Sequence, residues 1–264
     1  MKKNNNKKLK KIYNDIFKKG YENVYTSFLV RGSRTMEIDE VLKQISWKGK
    51  KVIDVGCGTG EFAYEAAKKG ALVKGIDFSS EAIKKAKKFY QHKNLEYICA
   101  EATDIKGKFD VIVSIGTIEH LDNPLEMLLK FKKHLNPKGK IITTTPNWSN
   151  PRGYILLPLF YLFNAPITLA DLHYFTPIDI INFSKKLKLK IKWYTFDYSW
   201  SCGQVLLSDL ERRLPNVLKD AKLPTKKRNI DQFIKWIKDH IVPFEKEFKS
   251  LPNGGALAIY IFSK

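Results

Sequence analysis

The chain has 264 residues, 44% of them hydrophobic, which suits one α/β domain with additions and excludes a wholly disordered protein. No apolar run approaches the roughly 20 residues that cross a bilayer, and no apolar signal core follows the basic start, so a cytoplasmic protein is expected. The three cysteines are far apart and odd in number, which argues against a disulfide framework, and no Cys/His cluster predicts a metal site.

The formal net charge is +20, from 47 basic and 27 acidic side chains. Basic proteins are attracted to nucleic acids, anionic membranes and anionic small molecules. Most of the excess is lysine scattered along the chain, which is typical of a compositional bias and not of a dedicated patch. Residues 1–19 differ, because they hold eight lysines and one acid and could form a basic arm.

The predicted elements begin with a basic helical extension, residues 1–47, which contains short helices around Ile12–Phe17 and residues 35–45. Strands at 51–55, 71–77, 95–99, 109–114 and 140–145 then alternate with helices at 59–69, 79–90 and 124–135. A cap inserted around 147–176 interrupts this rhythm. A helix from Thr176 to about Leu187, a strand at 189–198, a helical segment at 203–250 and an apolar strand at 254–262 follow. Alternating strands and helices predict an α/β domain over residues 48–264, with a mostly parallel seven-stranded Rossmann-like sheet covered by helices on both faces.

The strongest motif is the glycine loop, residues 56–60, which follows the first strand and precedes the first helix of this domain. Glycine lets a backbone turn sharply and approach a ligand closely, and a helix start offers N–H groups to an anion. The spacing GxGxG after Asp54 differs from the dinucleotide pattern GxGxxG, and the P-loop pattern is missing. Asp77 ends the second strand, where an acid can accept both ribose hydroxyls or cap the next helix. The sequence therefore predicts a nucleotide site at this strand edge.

The run from Asp54 to Gly60, with Asp77, resembles the first two motifs of class I S-adenosylmethionine (SAM)-dependent methyltransferases, and the resemblance covers residues 48–145 well. It implies that SAM is the cofactor and S-adenosylhomocysteine (SAH) the product. The glycine loop would hold the methionine part, with Asp54 near its amino end, and Asp77 the ribose. A third motif is present with Glu101 in place of the family's aspartate, beside the adenine. The implied cofactor contacts are Asp54, Gly56, Cys57, Gly58, Gly60, Asp77, Phe78, Glu101, Ala102 and the backbone carbonyls of Ser114 and Ile115.

The Glu119–His120 pair follows the fourth strand, at the edge where α/β sheets bind ligands. Residues 109–147 resemble the branch of ubiquinone-biosynthesis O-methyltransferases and of sugar and natural-product O-methyltransferases. Methyl transfer to a hydroxyl requires removal of its proton, and histidine is a suitable base at neutral pH. His120 is interpreted as a general base, a positioning residue or a packing residue. Glu119 would orient the imidazole, bind substrate or point elsewhere, and His173 would face substrate or bond a loop carbonyl.

The inserted segment contains residues 154–163, nine of which are apolar or aromatic. It is compatible with a lid over a hydrophobic substrate, a peripheral membrane contact, a homodimer interface or a buried cap helix. The favoured function is methylation of a hydroxyl on a sugar, phenol or lipid-linked precursor. N-methylation of a small amine is the alternative, followed by RNA or protein methylation through the basic surface. Nucleic acid is not the expected partner, because Ile115–His120 occupies the place where nucleic-acid amino methylators carry an Asn/Asp-Pro-Pro-aromatic motif.

Overall fold

The structure is a computed structural model that describes Lys11 and residues 13–15, 33–168 and 170–264. It divides into two compact units. The first unit comprises Met1–Thr145, Asp179–Trp193 and Ile259–Lys264, and the second comprises Pro146–Ile178 and Tyr194–Ala258. The predicted short helix around Ile12, Ile16 and Phe17 lies mostly outside the described residues, although Lys11 and residues 13–15 are helical. The basic arm lies largely outside them too, and the predicted boundary at residue 47 stays a prediction.

The main strands and helices alternate as far as the fifth strand. In chain order they are α1 Ser33–Leu42, β1 Lys51–Val55, α2 Glu61–Lys68, β2 Leu72–Asp77, α3 Ser80–Phe89, β3 Leu95–Cys99, β4 Phe109–Ile115, α4 Pro124–Lys133 and β5 Leu135–Pro146. The elements that follow are α5 Pro151–Phe163, α6 Pro177–Leu187, β6 Lys190–Phe196, α7 Tyr198–Cys202, α8 Gln204–Asp220, α9 Lys227–His240, α10 Glu245–Phe248 and β7 Leu257–Ser263. A short 3₁₀ turn, Ala102–Asp104, follows β3, and another, Ile118–His120, precedes α4.

The seven strands form one mostly parallel sheet in the order β3-β2-β1-β4-β5-β7-β6, which confirms the predicted Rossmann-like α/β fold. β1 pairs in parallel with β2 and β4, β2 with β3, and β4 with β5. The central strands are apolar and fully buried at Val52, Ile112 and Ile141, as expected of a sheet covered on both faces. The strand order reverses between β1 and β4, and ligands of such sheets bind at the carboxyl ends beside this switch point.

Three strand boundaries differ from the prediction by two residues or more. One is the start of β7, which is Leu257 and not residue 254. β5 begins at Leu135, five residues before the predicted start of 140, because a bulge opposite the start of β4 absorbs residues 136–139. Asn136 ties this bulge to β4 by donating to the Asp110 carboxylate at 2.8 Å. β6 ends at Phe196 and not at residue 198. Asp197 has a φ of +58° and its carboxylate accepts from the Trp200 N–H, so the chain turns into α7.

The second unit is helical, and α5 divides between its core and the surface. Leu156 is fully buried with Leu206, Leu210 and Ile237 of the neighbouring helices. The carboxyl-terminal turns of α5 are exposed, with Tyr161 at 69% and Leu162 at 71% of their accessible surface. The inserted apolar segment is therefore neither wholly buried nor wholly exposed. Within the described ranges, no helix has the length and apolarity that crossing a bilayer demands.

Three charged side chains are buried inside the second unit. Arg213 donates to both carboxylate oxygens of Asp209, at 3.1 and 2.8 Å, whereas the nearest nitrogen of Arg152 is 3.5 Å away. The Arg152 guanidinium also lies 4.5 Å from the ring centre of Trp148 and 4.1 Å from that of Trp200. Burial lowers the pKa of Arg152 to about 10 despite the attraction of Asp209. Burial acts to raise the pKa of Asp209, but Arg213 and Arg152 outweigh it and hold that pKa well below its usual range.

Candidate active site

The glycine loop lies at the carboxyl end of β1, beside the switch point of the sheet. Gly56 and Gly60 have φ values of +77° and +93°, in the left-handed region that favours glycine. The N–H groups of Gly56 and Cys57 both donate to the Ile76 carbonyl, at 2.8 and 3.0 Å. These bonds fix the loop against β2, so its backbone shape is set by the protein itself.

Gly60 forms the junction between the glycine loop and α2. The Tyr97 hydroxyl, from β3, donates to the Gly60 carbonyl at 3.1 Å, and a Cβ at Gly60 would overlap that hydroxyl. Because Gly60 is the N-cap residue, no side chain caps α2, and the first N–H groups of the helix point toward the strand edge. This is the arrangement that suits a carboxylate such as that of methionine. Tyr97 is missed by sequence reasoning, since nothing near it in the chain marks its contact.

Asp77 joins the glycine loop to the start of α3. Its buried carboxylate accepts from the Gly58 N–H at 2.9 Å and from the Ser79 N–H at 2.8 Å. The cap of α3 is Ser79, whose hydroxyl oxygen accepts from the Ala82 N–H, so capping does not account for Asp77. Each carboxylate oxygen has further lone pairs, and the two backbone bonds set the direction in which they face. The predicted ribose-binding acid therefore also organises the loop.

The predicted adenine contacts lie next to Asp77. Asp77, at the end of β2, is paired with Cys99, at the end of β3. Glu101, two residues after Cys99, therefore lies at the same edge of the sheet. The Glu101 side chain is exposed, and its N–H donates to the Asp104 carboxylate at 3.3 Å where the turn Ala102–Asp104 starts. Phe78 is half-buried directly after Asp77. The adenine roles of these residues stay predictions.

The end of β4 supplies the other side of the crevice. The Ser114 carbonyl accepts from the Thr143 hydroxyl at 2.7 Å, and the Ile115 carbonyl accepts from the Thr117 hydroxyl at 3.0 Å. The predicted contact of these two carbonyls with the methionine amino group stays a prediction. Asp54 is buried on β1, paired with Gly75 and Val113. Asp54 thus lies one residue before the end of β1, and Ser114 and Ile115 are the last two residues of the adjacent strand β4.

Glu119 and His120 face different surroundings in the turn after β4. The Glu119 side chain is buried, with 2% of its surface accessible, whereas His120 is half-buried. Nε2 of His120 is hydrogen-bonded to the hydroxyl of Tyr13 at 2.9 Å. Tyr13 belongs to the N-terminal segment, residues 13–15, and sequence reasoning gave it no role. The imidazole therefore has a polar partner from a distant part of the chain.

His173 is the last of the predicted site residues. It belongs to the second unit, where its ring stacks on Phe175 with centroids 5.2 Å apart, and its predicted role toward substrate stays a prediction.

Glu37 of α1 is buried and accepts from the Thr144 hydroxyl at 2.8 Å. The Gly116 N–H in turn donates to the Thr144 hydroxyl oxygen at 3.2 Å. Glu37 thereby supports the turn after β4, a role that no local sequence pattern marks.

Comparisons with known proteins agree with this geometry. The family described as "Methyltransferase domain" matches residues 32–189, more than half of the chain. The ubiquinone biosynthesis O-methyltransferase of Coxiella burnetii is 35% identical over 129 residues, which are 46% of this chain and 55% of that protein. The corresponding enzyme of Thiobacillus denitrificans is 35% identical over 114 residues, 41% of this chain and 49% of that protein. The chain thus spans about half the length of the curated relatives it matches.

Solved structures share the fold. A SAM-dependent methyltransferase of Thermotoga maritima, described as a possible histamine N-methyltransferase, superposes with a TM-score of 0.61 at 15% identity, over 96% of this chain and 99% of that one. The magnesium protoporphyrin IX methyltransferase of Synechocystis with bound SAH gives 0.60 at 16% identity, over 71% and 90%. The family match, the strand order and the glycine loop with its strand-end acid place the chain in the class I SAM-dependent methyltransferase family.

Proposed function

We propose that this protein transfers the methyl group of SAM to a hydroxyl of a small molecule, such as a sugar, a phenol or a lipid-linked precursor, with His120 as the general base. The observation that carries the proposal is the half-buried imidazole at the carboxyl end of β4, with Nε2 2.9 Å from a hydroxyl oxygen, that of Tyr13. Since Tyr13 occupies Nε2, the general-base role falls to Nδ1, which would lie within hydrogen-bond reach of the acceptor hydroxyl. The similarity to ubiquinone biosynthesis O-methyltransferases supports a hydroxyl acceptor.

The residues at the strand edge fit SAM by their chemistry. The uncapped start of α2 suits the methionine carboxylate, the Ser114 and Ile115 carbonyls suit its ammonium, and the oriented Asp77 carboxylate suits the ribose hydroxyls. When bound, SAM supplies an electrophilic methyl group on a sulfonium leaving group. His120 would accept the proton of the acceptor hydroxyl while that oxygen forms its bond to the methyl carbon. The bond between methyl and sulfur breaks in the same step, and SAH remains.

An amine acceptor would place less demand on His120. An amine that arrives neutral already has a lone pair, so it can be methylated without a strong base. The effect of removing His120 therefore distinguishes the two reactions. His134 provides a matched control, because it is a half-buried histidine at the end of α4 whose Nδ1 contacts the Gly107 carbonyl.

The test combines binding and turnover. Purified protein is titrated calorimetrically with SAH, and labelled SAM is then offered with catechols, sugars and small primary amines. We expect SAH to bind wild type, His120→Ala and His134→Ala alike. We expect label in a hydroxyl acceptor, with turnover lowered by about 10²- to 10⁴-fold in His120→Ala and unchanged in His134→Ala. Label in amines alone, or normal turnover by His120→Ala, would refute the proposed reaction.

We also propose that the exposed carboxyl-terminal end of α5 is a peripheral membrane contact. Three large side chains, Tyr161, Leu162 and Phe163, lie exposed there. An apolar patch of this kind commonly marks an interaction surface. The net charge of +20 favours an anionic bilayer. Co-sedimentation with phosphatidylglycerol vesicles should be lost on Leu162→Ser. If the protein does not bind the vesicles and Leu162→Ser changes its oligomeric state, the end of α5 is a dimer interface instead.

A further inference from the structure

The N-terminal segment, residues 13–15, contacts the loops that follow β2 and β4. The Tyr13 hydroxyl is 2.9 Å from Nε2 of His120, and the two rings meet edge-on with centroids 5.7 Å apart. The same tyrosine ring contacts Phe78 edge-on, at 6.0 Å. Tyr13 and His120 are 107 positions apart in the chain, so the fold brings this contact together and no local motif does.

A second side chain holds the segment in place. Asn14 Oδ1 accepts from the Ser79 hydroxyl at 2.5 Å, and the Ser79 N–H donates to the Asp77 carboxylate at 2.8 Å. The segment is therefore joined to the acid of the cofactor site on one side and to His120 on the other. It spans from the loop after β2 to the turn after β4, the two strands that flank β1 in the sheet.

We propose that Tyr13 is a positioning residue that fixes the imidazole of His120 for proton transfer. The inference rests on the proposed function, in which His120 is the base. His120 ends a three-residue turn and is only half-buried, unlike the fully buried Ile118 of the same turn, so packing alone does not fix its ring. The hydrogen bond to Nε2 adds a directional constraint on the ring.

The chemistry of a hydroxyl suits this role. A base changes its protonation state in each turnover, and a hydroxyl can donate to a bare ring nitrogen or accept from a protonated one. Because Tyr13 occupies Nε2, the acceptor proton goes to Nδ1, and Nε2 carries its hydrogen both before and after the transfer. The Tyr13 hydroxyl oxygen therefore accepts from Nε2 in both states. A partner that could only donate would instead favour the tautomer with the hydrogen on Nδ1, which cannot act as a base.

The contact can be tested without any acceptor. The chain has five histidines, so ¹⁵N-histidine labelling gives a small set of imidazole resonances, and His120→Gln identifies those of His120 by their loss. We expect Tyr13→Phe to shift the Nε2 resonance of His120. Tyr64→Phe is the matched control, because the Tyr64 ring packs on Tyr90, away from His120 in the contacts described. An unchanged Nε2 resonance in Tyr13→Phe would overturn the proposal.

Kinetics with the labelled acceptor test the role itself. Tyr13→Phe should lower kcat about tenfold, the loss of one hydrogen bond in the transition state, with KM for the acceptor and SAH affinity unchanged. Added to His120→Ala, it should cause no further loss, since it acts through His120. Normal kcat in Tyr13→Phe, or an additive loss in the double variant, would contradict positioning. A lower KM would mean that Tyr13 blocks the acceptor site, which also overturns it.

The two hypotheses fail in different ways. If wild type methylates no hydroxyl while the resonance shift is present, the proposed function is wrong and the positioning role is wrong with it. If wild type methylates a hydroxyl and Tyr13→Phe leaves both kcat and the resonance unchanged, only the role of Tyr13 is wrong.

Discussion

Asp77→Asn tests the cofactor site most directly, because the substitution keeps the shape of the side chain and removes its charge. The carboxylate accepts from two N–H groups, those of Gly58 and Ser79, and an amide has only one accepting oxygen to replace both. An amide NH₂ would therefore face a backbone N–H. Loss of one charge-assisted bond to the ribose is worth about 1.5–3 kcal/mol, which corresponds to about a 10- to 150-fold rise in the Kd for SAH.

Asp110→Asn is the matched control for this experiment. Asp110 also accepts two N–H bonds, from the Lys51 backbone at 2.9 Å and the Asn136 side chain at 2.8 Å. Lys51 begins β1, so this aspartate lies at the amino edge of the sheet, opposite the cofactor edge. Calorimetry should show weakened SAH binding for Asp77→Asn and normal binding for Asp110→Asn. If Asp77→Asn bound SAH as wild type does, or both variants weakened binding equally, the assignment of Asp77 to the ribose would be wrong.

Three further predictions concern stability. Asp209→Asn should lower the free energy of unfolding by about 3–5 kcal/mol, because buried guanidinium groups lose their carboxylate. Arg152→Met should leave the free energy of unfolding nearly unchanged, since burial already lowers the pKa of Arg152 to about 10. Equal losses of stability for the two variants in urea titrations would contradict this. Although burial acts to raise the pKa of Asp209, its arginine partners hold that pKa below the ordinary value. Its contribution is therefore complete above the unfolded pKa of about 3.9 and is lost as pH falls through the lower folded pKa. The stability gap between wild type and Asp209→Asn should be constant from pH 7 to about 5 and narrow below about 4; a gap that narrowed at pH 6 would refute the pairing. Gly60→Ala should lower the free energy of unfolding by about 1–3 kcal/mol, because of the φ of +93° and the overlap with the Tyr97 hydroxyl. In thermal unfolding, the double variant Gly60→Ala/Tyr97→Phe should regain part of this stability. No recovery would mean that the Tyr97 hydroxyl is not what opposes the added Cβ.

The sequence predicted the parts of the site that are encoded locally. The glycine loop and Asp77 are adjacent to strand ends, and their residue types are tied to backbone turns and to nucleotide groups, so a short stretch of sequence identifies them. The alternation of strands and helices likewise reflects local hydrophobic periodicity. These predictions needed no knowledge of which distant residues meet.

The residues that the sequence did not reveal act across long separations or through unusual backbone angles. Tyr13 meets His120 across 107 positions, and Glu37 meets Thr144 across 107 as well. The end of β6 was misplaced because Asp197, a residue other than glycine, adopts a positive φ and starts a helix. Neither long-range pairing nor an unexpected turn leaves a periodic signal.

The order of strands has a consequence for the synthesis of this chain on the ribosome. β7 lies between β5 and β6 in the sheet, yet it is made after both, with α7 to α10 in between. Strands β1 to β5 can pair with one another as they leave the ribosome, but β6 has to wait, because its neighbour β7 is translated later. The exposed edge of β5 is meanwhile open to wrong pairing. The last step of sheet formation is therefore the insertion of β7 between two strands already made, and a chain that stalls before residue 257 would leave β6 outside the sheet.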